Sequence, residues 1–109
     1  MPGAKPNPDA SRAERDERIL AVIRSLREGE VVTYGDIAED AGFPTMSRLV
    51  GRLLAMVDED LPWWRVVNST GRLVPGHELD QIGLLKREGV RCEAGRVRSA
   101  QSGRFAPRH

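Results

Sequence analysis

The sequence has 109 residues and a net charge of +1, with 39% hydrophobic and 30% charged residues. This is an ordinary globular composition, and the length suits one domain with a modest core and no large buried catalytic cavity. The single cysteine, Cys92, excludes an internal disulfide and a multi-cysteine metal site. No apolar run is long enough to span a bilayer and no secretory signal is visible. We therefore expect a cytoplasmic protein, nucleoid-associated if bacterial, without membrane contact, metal or cofactor.

The cations are mostly arginines. Of the 17 basic residues, all but Lys5 and Lys86 are Arg, and a planar guanidinium suits phosphates, base edges and stacking better than an ammonium group does. A GC-rich genome produces the same bias. Only the positions of particular arginines can therefore separate a nucleic-acid ligand from this plainer explanation.

Both termini lack apolar periodicity. Their Pro, Gly, Ser and Asn content predicts a disordered arm over residues 1–10, a folded domain over 11–98 and a disordered tail over 99–109. Ser11 begins the first predicted helix, with Glu14 at capping-box spacing. The apolar residues on one face of this helix are Ile19, Leu20, Val22, Ile23 and Leu26.

The next elements form a helix-turn-helix pattern. Residues 31–34 are predicted to be extended and residues 35–41 to form a short helix, which a turn at 42–44 joins to a helix over 46–57. This last helix has the most regular apolar period in the sequence. Two short helices joined by a turn containing Gly and Pro are typical of DNA-binding domains, in which the second helix enters a groove.

Shorter elements complete the predicted fold. Residues 61–67 run from a loop into a strand, residues 78–88 form a helix, and residues 90–97 return as a strand. The buried residues expected in the 78–88 helix are Leu79, Ile82 and Leu85. The predicted fold class is mainly α with short strands, a winged-helix-like helix-turn-helix DNA-binding domain.

The outward face of the 46–57 helix carries candidate DNA contacts. Arg48 and Arg52 lie one turn apart, and Gly51 lets another surface approach the backbone closely. Ser47 stands in the first turn, where a helix N-terminus favours phosphate. A solvated face with two ordinary arginines fits the same pattern, so both interpretations stay open.

The two tryptophans of the chain, Trp63 and Trp64, are adjacent. Neighbouring side chains in an extended segment point to opposite sides, so one indole can pack inward while the other faces a pocket and stacks on a base. Packing of both in the core is the alternative. Tyr34 has a hydroxyl that can donate to a phosphate or a base, or it is framework. Judged from its sequence position alone, Glu88 is a solvated surface acid. His77 is an ordinary surface residue on the same basis.

Four segments between residues 14 and 97 together resemble, in the right order, the DNA-binding domain of O6-alkylguanine-DNA alkyltransferases. Residues 29–38 (GEVVTYGDIA) are similar to the entry to its helix-turn-helix, residues 48–51 (RLVG) to its recognition helix, and residues 84–89 (LLKREG) to its closing helix. Residues 62–71 (PWWRVVNSTG) resemble its active-site segment, whose family form is Pro-Cys-His-Arg-Val-Val.

The resemblance places Trp63 at the position of the alkyl-accepting cysteine and Trp64 at that of the histidine that activates it. Alkyl transfer needs a thiolate, whereas an indole offers only an N–H donor. Since Cys92 belongs to a different element, no catalysis is expected. Replacement of this cysteine by Trp is the signature of the alkyltransferase-like proteins, although many members keep His after the Trp.

That resemblance implies a recognition helix in the minor groove of duplex DNA, an alkylated guanine flipped into a pocket, and a lesion flagged for nucleotide excision repair proteins. Arg48 would fill the vacated stack, Tyr34 would rotate the nucleotide at its phosphate, and Trp63 would lie beside the alkyl group. The implied DNA contacts are Thr33, Tyr34, Ser47, Arg48, Gly51 and Arg52. The implied pocket residues are Tyr34, Pro62, Trp63, Arg65 and Glu88. The role of Glu88 stays open, since the family's acid orients the missing histidine.

Two loops depart from the family pattern. The consecutive acids 58–60 cannot lie against phosphate, so this loop is expected to point away from DNA. Residues 72–77, where the family's lesion-binding loop begins, have no close counterpart, and Arg72 is a hypothetical source of a cation there.

Three other functions compete with lesion sensing by a monomer. A winged-helix transcriptional regulator without lesion specificity would read the major groove, usually as a dimer. A residual enzyme would accept an alkyl group on Cys92 or elsewhere. A scaffold that binds only protein would not depend on Arg48.

Overall fold

The computed structural model describes residues 8–107, and it shows helices that alternate with short strands. The elements are α1 (Pro8–Arg24), β1 (Glu30–Thr33), α2 (Tyr34–Asp40), α3 (Ser47–Met56), a 3-10 turn (Trp63–Arg65), β2 (Val66–Val67), α4 (Glu78–Arg87), β3 (Arg91–Glu93), β4 (Arg96–Ser99) and β5 (Ser102–Gly103). The predicted fold class is confirmed, with α2 and α3 as the helix-turn-helix. None of the helices between residues 8 and 107 combines the length and apolar character needed to cross a membrane.

A small parallel sheet separates two apolar clusters. β1 lies between β2 and β5, with Val32 opposite Val66. Because alternate strand residues point to opposite faces, these two valines join one cluster while Val31 and Val67 join the other. The first cluster packs α1, α2 and α3 together through the buried residues Ile19, Leu20, Ile23, Leu26, Ile37, Ala38, Ala41, Val50 and Leu61. The second unites α4 with the β3–β4 hairpin through Leu73, Leu85, Val90, Val97 and Ala100.

The predicted disordered tail over 99–109 is wrong for the residues that the structure describes. β5 pairs with β1 in parallel, and the amide of Gln101 donates to the carbonyl of Gly29 at 3.0 Å. Phe105 packs on the second cluster. These contacts come from backbone pairing by polar residues, which leaves little apolar signal in the sequence. Residues 108 and 109 lie outside the described residues.

Replacing Gly103 with Ala should weaken this docking. Gly103 has a φ of +85°, and an added Cβ would lie 2.4 Å from the carbonyl oxygen of Val31, so the variant combines backbone strain with a clash inside the sheet. We expect a loss of about 2–3 kcal/mol in the free energy of unfolding, measured in urea. Gly42→Ala is the matched control, since Gly42 has a φ of +94° with open space around it. Equal losses in the two variants would contradict the clash.

Three further expectations need correction. α1 begins at Pro8 rather than Ser11, so the predicted arm over 1–10 is wrong for residues 8–10, and residues 1–7 lie outside the described residues. Leu79 is 87% exposed rather than buried, because it lies on the outer side of α4. Residues 90–97 form a hairpin rather than one strand, since the chain reverses at Ala94 and Gly95, both with positive φ.

Candidate nucleic-acid interface

Thr33 fixes the start of the helix-turn-helix. Its hydroxyl accepts from the amide of Asp36 at 3.0 Å, and the Asp36 carboxylate accepts from the Thr33 amide at 3.0 Å, which is a capping box. The Thr33 side chain is buried and committed to this cap. In the structure Thr33 therefore has a positioning role, which sets Tyr34 as the first residue of α2, and its implied DNA contact stays a prediction.

Arg104 supports the same cap from the C-terminal segment. Its guanidinium pairs with the Asp36 carboxylate, with Nε 3.0 Å from Oδ2. The hydrogen bond from Arg104 lowers the pKa of Asp36, and the bonds from Thr33 act in the same direction against the effect of burial. The C-terminal segment therefore helps to hold the N-terminal cap of α2, the first helix of the helix-turn-helix.

The second helix, α3, buries one side and leaves two arginines free. Val50 is fully buried in the first cluster, whereas Arg48 and Arg52 are exposed. Neither guanidinium has an acidic partner among residues 11–107, whose side chains the structure describes. Ser47 is half-buried in the first turn. These side chains are thus available to an anionic ligand at the helix surface.

A cavity of about 420 Å³ lies between α3 and the segment that carries the tryptophans. Its lining residues are Tyr34, Gly51, Leu54, Ala55, Trp63, Val74 and His77. Gly51 lies against the Tyr34 ring, where an added Cβ would be 3.7 Å from Cε1. On the opposite wall the Trp63 and His77 rings meet edge to face, with centroids 5.9 Å apart. The result is a mostly aromatic and aliphatic pocket of the size that holds small planar ligands.

Glu88 anchors the segment behind this cavity. Its carboxylate accepts from the Trp64 indole Nε1 at 2.7 Å, from the backbone amide of Gly29 at 2.8 Å and from Arg65 Nη2 at 2.8 Å. Arg65 also donates to the carbonyl of Leu26 at 2.9 Å and lies over the Trp64 ring at 5.3 Å. The two tryptophans divide, since Trp63 faces the cavity and Trp64 packs on the second cluster. This is the predicted outcome, but Trp63–Arg65 form a 3-10 turn rather than the extended segment that the alternation argument assumed.

Glu88 and Arg65 are corrected from pocket residues to framework. Neither lines the cavity, because both are held behind Trp64 with side chains only 8% and 15% exposed. Burial raises the pKa of Glu88, but the hydrogen bonds from Arg65, Gly29 and Trp64 outweigh burial and leave it below its ordinary value. Pro62 is half-buried next to Trp63 and is not among the lining residues.

Gln81 ties the far wall of the cavity to the tryptophan segment. This fully buried amide accepts from the backbone of Val74 at 2.7 Å and donates to the carbonyl of Trp64 at 3.1 Å. Sequence reasoning missed Gln81, His77 and Val74. A Gln inside an otherwise apolar helix face was the available signal, because buried amides need partners.

The acidic loop over 58–60 is held by α1. Arg24 donates to the Glu59 carboxylate from Nε at 2.6 Å and from Nη2 at 2.7 Å. Glu59 is therefore paired with a cation of α1 rather than left free. Among the side chains of residues 11–107, no three His, Cys, Asp or Glu converge in a way that would hold a metal ion.

The fold and the cavity beside its second helix define a helix-turn-helix protein of the DNA-binding class. Residues 14–90 match the family described as 6-O-methylguanine DNA methyltransferase, DNA binding domain, and the chain belongs to this family.

Its relatives include proteins that are named for base flipping or for their likeness to alkyltransferases. A DNA base-flipping protein of Vibrio parahaemolyticus is 42% identical over 73% of this chain and 85% of the relative. Alkyltransferase-like protein 1 of Schizosaccharomyces pombe is 37% identical over 67% of this chain and 73% of the relative. The crystal structure of S. pombe Atl1 in complex with damaged DNA containing O6-carboxymethylguanine matches with a TM-score of 0.65 and 30% identity, over 72% of this chain and 79% of that one. The predicted resemblance to alkyltransferase-like proteins is confirmed.

Proposed function

We propose that this protein is a non-enzymatic, monomeric sensor of DNA damage that binds duplex DNA containing O6-alkylguanine and receives the flipped base in its cavity. The observation that best supports this proposal is the cavity of about 420 Å³ between Gly51 of α3 and the wall formed by Trp63 and His77. The relative from V. parahaemolyticus is named a base-flipping protein, and the S. pombe neighbour was solved with damaged DNA. Both support this assignment.

The lining explains a preference for alkylated over normal guanine. Trp63 and Tyr34 offer ring surfaces, and Leu54 and Val74 add aliphatic contact. Each buried alkyl carbon contributes about 0.8 kcal/mol, and an alkylated guanine leaves its stack more easily than an intact one. Burial raises the pKa of Tyr34, so its hydroxyl stays protonated at neutral pH and donates a hydrogen bond to a phosphate or a base.

The position of Arg48 suits the gap that the flipped base leaves. Arg48 precedes Gly51 by three residues, so the two lie on neighbouring parts of one helix face. A side chain one helical turn from Gly51, which lines the cavity, can fill the vacated stack while the base occupies the pocket. We place α3 in the minor groove on the family resemblance, and a minor-groove ligand should then compete with the protein for lesion DNA.

The site lacks a nucleophile for alkyl transfer. Trp63 stands where the family's active-site segment has its cysteine, and an indole does not accept an alkyl group in this chemistry. The single cysteine, Cys92, is half-buried in β3 against the second cluster, and burial raises its pKa, which disfavours the reactive thiolate. We propose that the bound lesion is instead handed to nucleotide excision repair proteins.

Labelled DNA tests the non-enzymatic part of this proposal. After incubation with duplex carrying an isotopically labelled O6-methyl group, we expect the protein to remain unlabelled and the DNA to retain its lesion. Cys92→Ser should behave identically. Stoichiometric label on the wild-type protein would contradict the proposal, and loss of that label in Cys92→Ser would identify Cys92 as the acceptor.

Tryptophan fluorescence tests entry of the base into the cavity. Stacking of a flipped base on Trp63 should quench emission when lesion duplex is added, and undamaged duplex should quench far less. Trp63→Phe retains only Trp64, which packs on the second cluster, so its emission should barely respond. Equal quenching in Trp63→Phe and wild type would show that the base does not enter this cavity.

A further inference from the structure

The β3–β4 hairpin and the strand segment beside it present a row of arginines. β4 buries Val97 and exposes Arg96 and Arg98, since alternate residues of a strand face opposite sides. Arg72 pairs with Arg96 in an antiparallel bridge, so their side chains share one face. We name Arg72, Arg96 and Arg98 the arginine row. The hairpin lies beyond residues 14–90, which the family match covers.

The arginine row adjoins the segment that forms one wall of the cavity. Leu73 is fully buried in the second cluster, whereas Arg72 is exposed and lines a shallow depression with Arg96 and with Glu78, the neighbour of His77. Val74 lines the cavity. The row is therefore next to the cavity wall that Val74 and His77 form, and this wall faces α3 across the cavity.

The charges of the row are unbalanced. All three arginines are exposed, and the described part of the chain gives none of them an acidic partner. Glu78 lines the same shallow depression as Arg72 and Arg96 without pairing to either. On the same face, Glu93 pairs with Arg91 instead, at 3.8 Å. Like charges directly opposite each other in a sheet are destabilising, so an anion is the ligand that this arrangement fits.

We infer that the arginine row binds the sugar-phosphate backbone of the duplex on the side of the lesion away from α3. This inference rests on the proposed function, since a base in the cavity puts the flanking duplex across its mouth. One arm of the DNA then lies along Arg48 and Arg52, and the other lies over the hairpin. Phosphate contacts of this kind add affinity without reading sequence or damage.

The test compares two triple variants of equal charge. Arg72→Gln, Arg96→Gln and Arg98→Gln together remove the row, and Arg12→Gln, Arg27→Gln and Arg87→Gln together remove three exposed arginines elsewhere. Affinity for lesion duplex and for its undamaged twin is measured from about 50 to 200 mM salt. In the row variant, the negative slope of log association constant against log salt concentration should become shallower by about 2–3. Binding at fixed salt should weaken roughly 10- to 100-fold. The control should keep the wild-type slope.

The outcomes separate this inference from the proposed function. A preserved ratio between lesion and undamaged duplex, with a reduced slope in the row variant alone, supports both. An unchanged slope in the row variant overturns the inference whatever the ratio. A reduced slope in the row variant, together with equal affinity of every variant for the two duplexes, would support the row as a phosphate site. The same result would contradict lesion sensing. The row variant should also melt no lower than wild type, because it removes a like-charge pair.

Discussion

Arg48→Ala should weaken binding to duplex containing O6-methylguanine by roughly 10- to 100-fold, as measured by fluorescence anisotropy. A flipped nucleotide leaves a vacancy whose unstacking costs a few kcal/mol, and the Arg48 side chain recovers part of that cost by filling it. A loss of about 1.4–2.8 kcal/mol gives this range of affinity. The effect should be smaller on undamaged DNA, where flipping contributes less.

Two control variants give this result its meaning. Arg52→Ala removes an exposed arginine one turn further along α3, and it should cost only about the tenfold expected of a phosphate contact on both duplexes. Arg12→Ala, on α1, should cost almost nothing. An Arg48→Ala variant that resembles Arg52→Ala on both duplexes would remove Arg48 from the vacated stack. Full retention of binding would show that Arg48 contributes nothing to the complex, whereas a wild-type protein that binds neither duplex would favour a scaffold that binds only protein.

Glu88→Gln should lower the stability of the protein as much as Gly103→Ala does. The substitution leaves the Arg65 guanidinium largely buried without its counter-charge and weakens the bonds to Trp64 and Gly29. We expect the free energy of unfolding in urea at neutral pH to fall by about 2–3 kcal/mol. Glu93→Gln is the matched control, since its pairing with Arg91 is exposed, and it should change stability by less than about 0.5 kcal/mol.

The same variant should flatten the acid limb of the stability profile. The folded-state pKa of Glu88 lies below its ordinary value of 4.5, so its contribution is fully present above the unfolded pKa and is lost as the pH falls through the folded pKa. Glu88→Gln lacks this contribution at every pH. The stability of Glu88→Gln should therefore approach that of wild type on acidification. Asp36, whose pKa is also lowered, loses its own contribution to stability in both proteins and does not affect this comparison. Parallel profiles would contradict the role of Glu88 as a charged anchor.

The helix-turn-helix was predictable because its signal is local. The apolar period of residues 46–57 and the turn containing Gly and Pro depend only on neighbouring residues, and the structure has helices at Tyr34–Asp40 and Ser47–Met56. The division of Trp63 and Trp64 was expected from alternation in an extended segment, but both lie in a 3-10 turn, so packing decides it. The position of Tyr34 came from the family motif, and the capping box of Thr33 explains it physically.

The other parts of the site depend on packing that no local pattern encodes. His77 has an ordinary sequence context, and it reaches the cavity because Gln81 holds Val74 to the tryptophan segment. The sequence does not define a role for Glu88, because its family partner is a histidine, and in this structure the Trp64 indole N–H donates to it instead. The docked tail depends on backbone pairing beside Gly103, which composition reads as disorder.

The central claim is a cavity that selects alkylated guanine, and a paired binding experiment tests it most directly. The affinity of the protein for a duplex with one O6-methylguanine is compared with that for the identical duplex with guanine, at one fixed physiological salt concentration. Fixed salt keeps the phosphate contribution common to both measurements. The account predicts clearly tighter binding to the damaged duplex. Equal affinity for the two duplexes would contradict lesion sensing and leave a DNA-binding protein without lesion specificity.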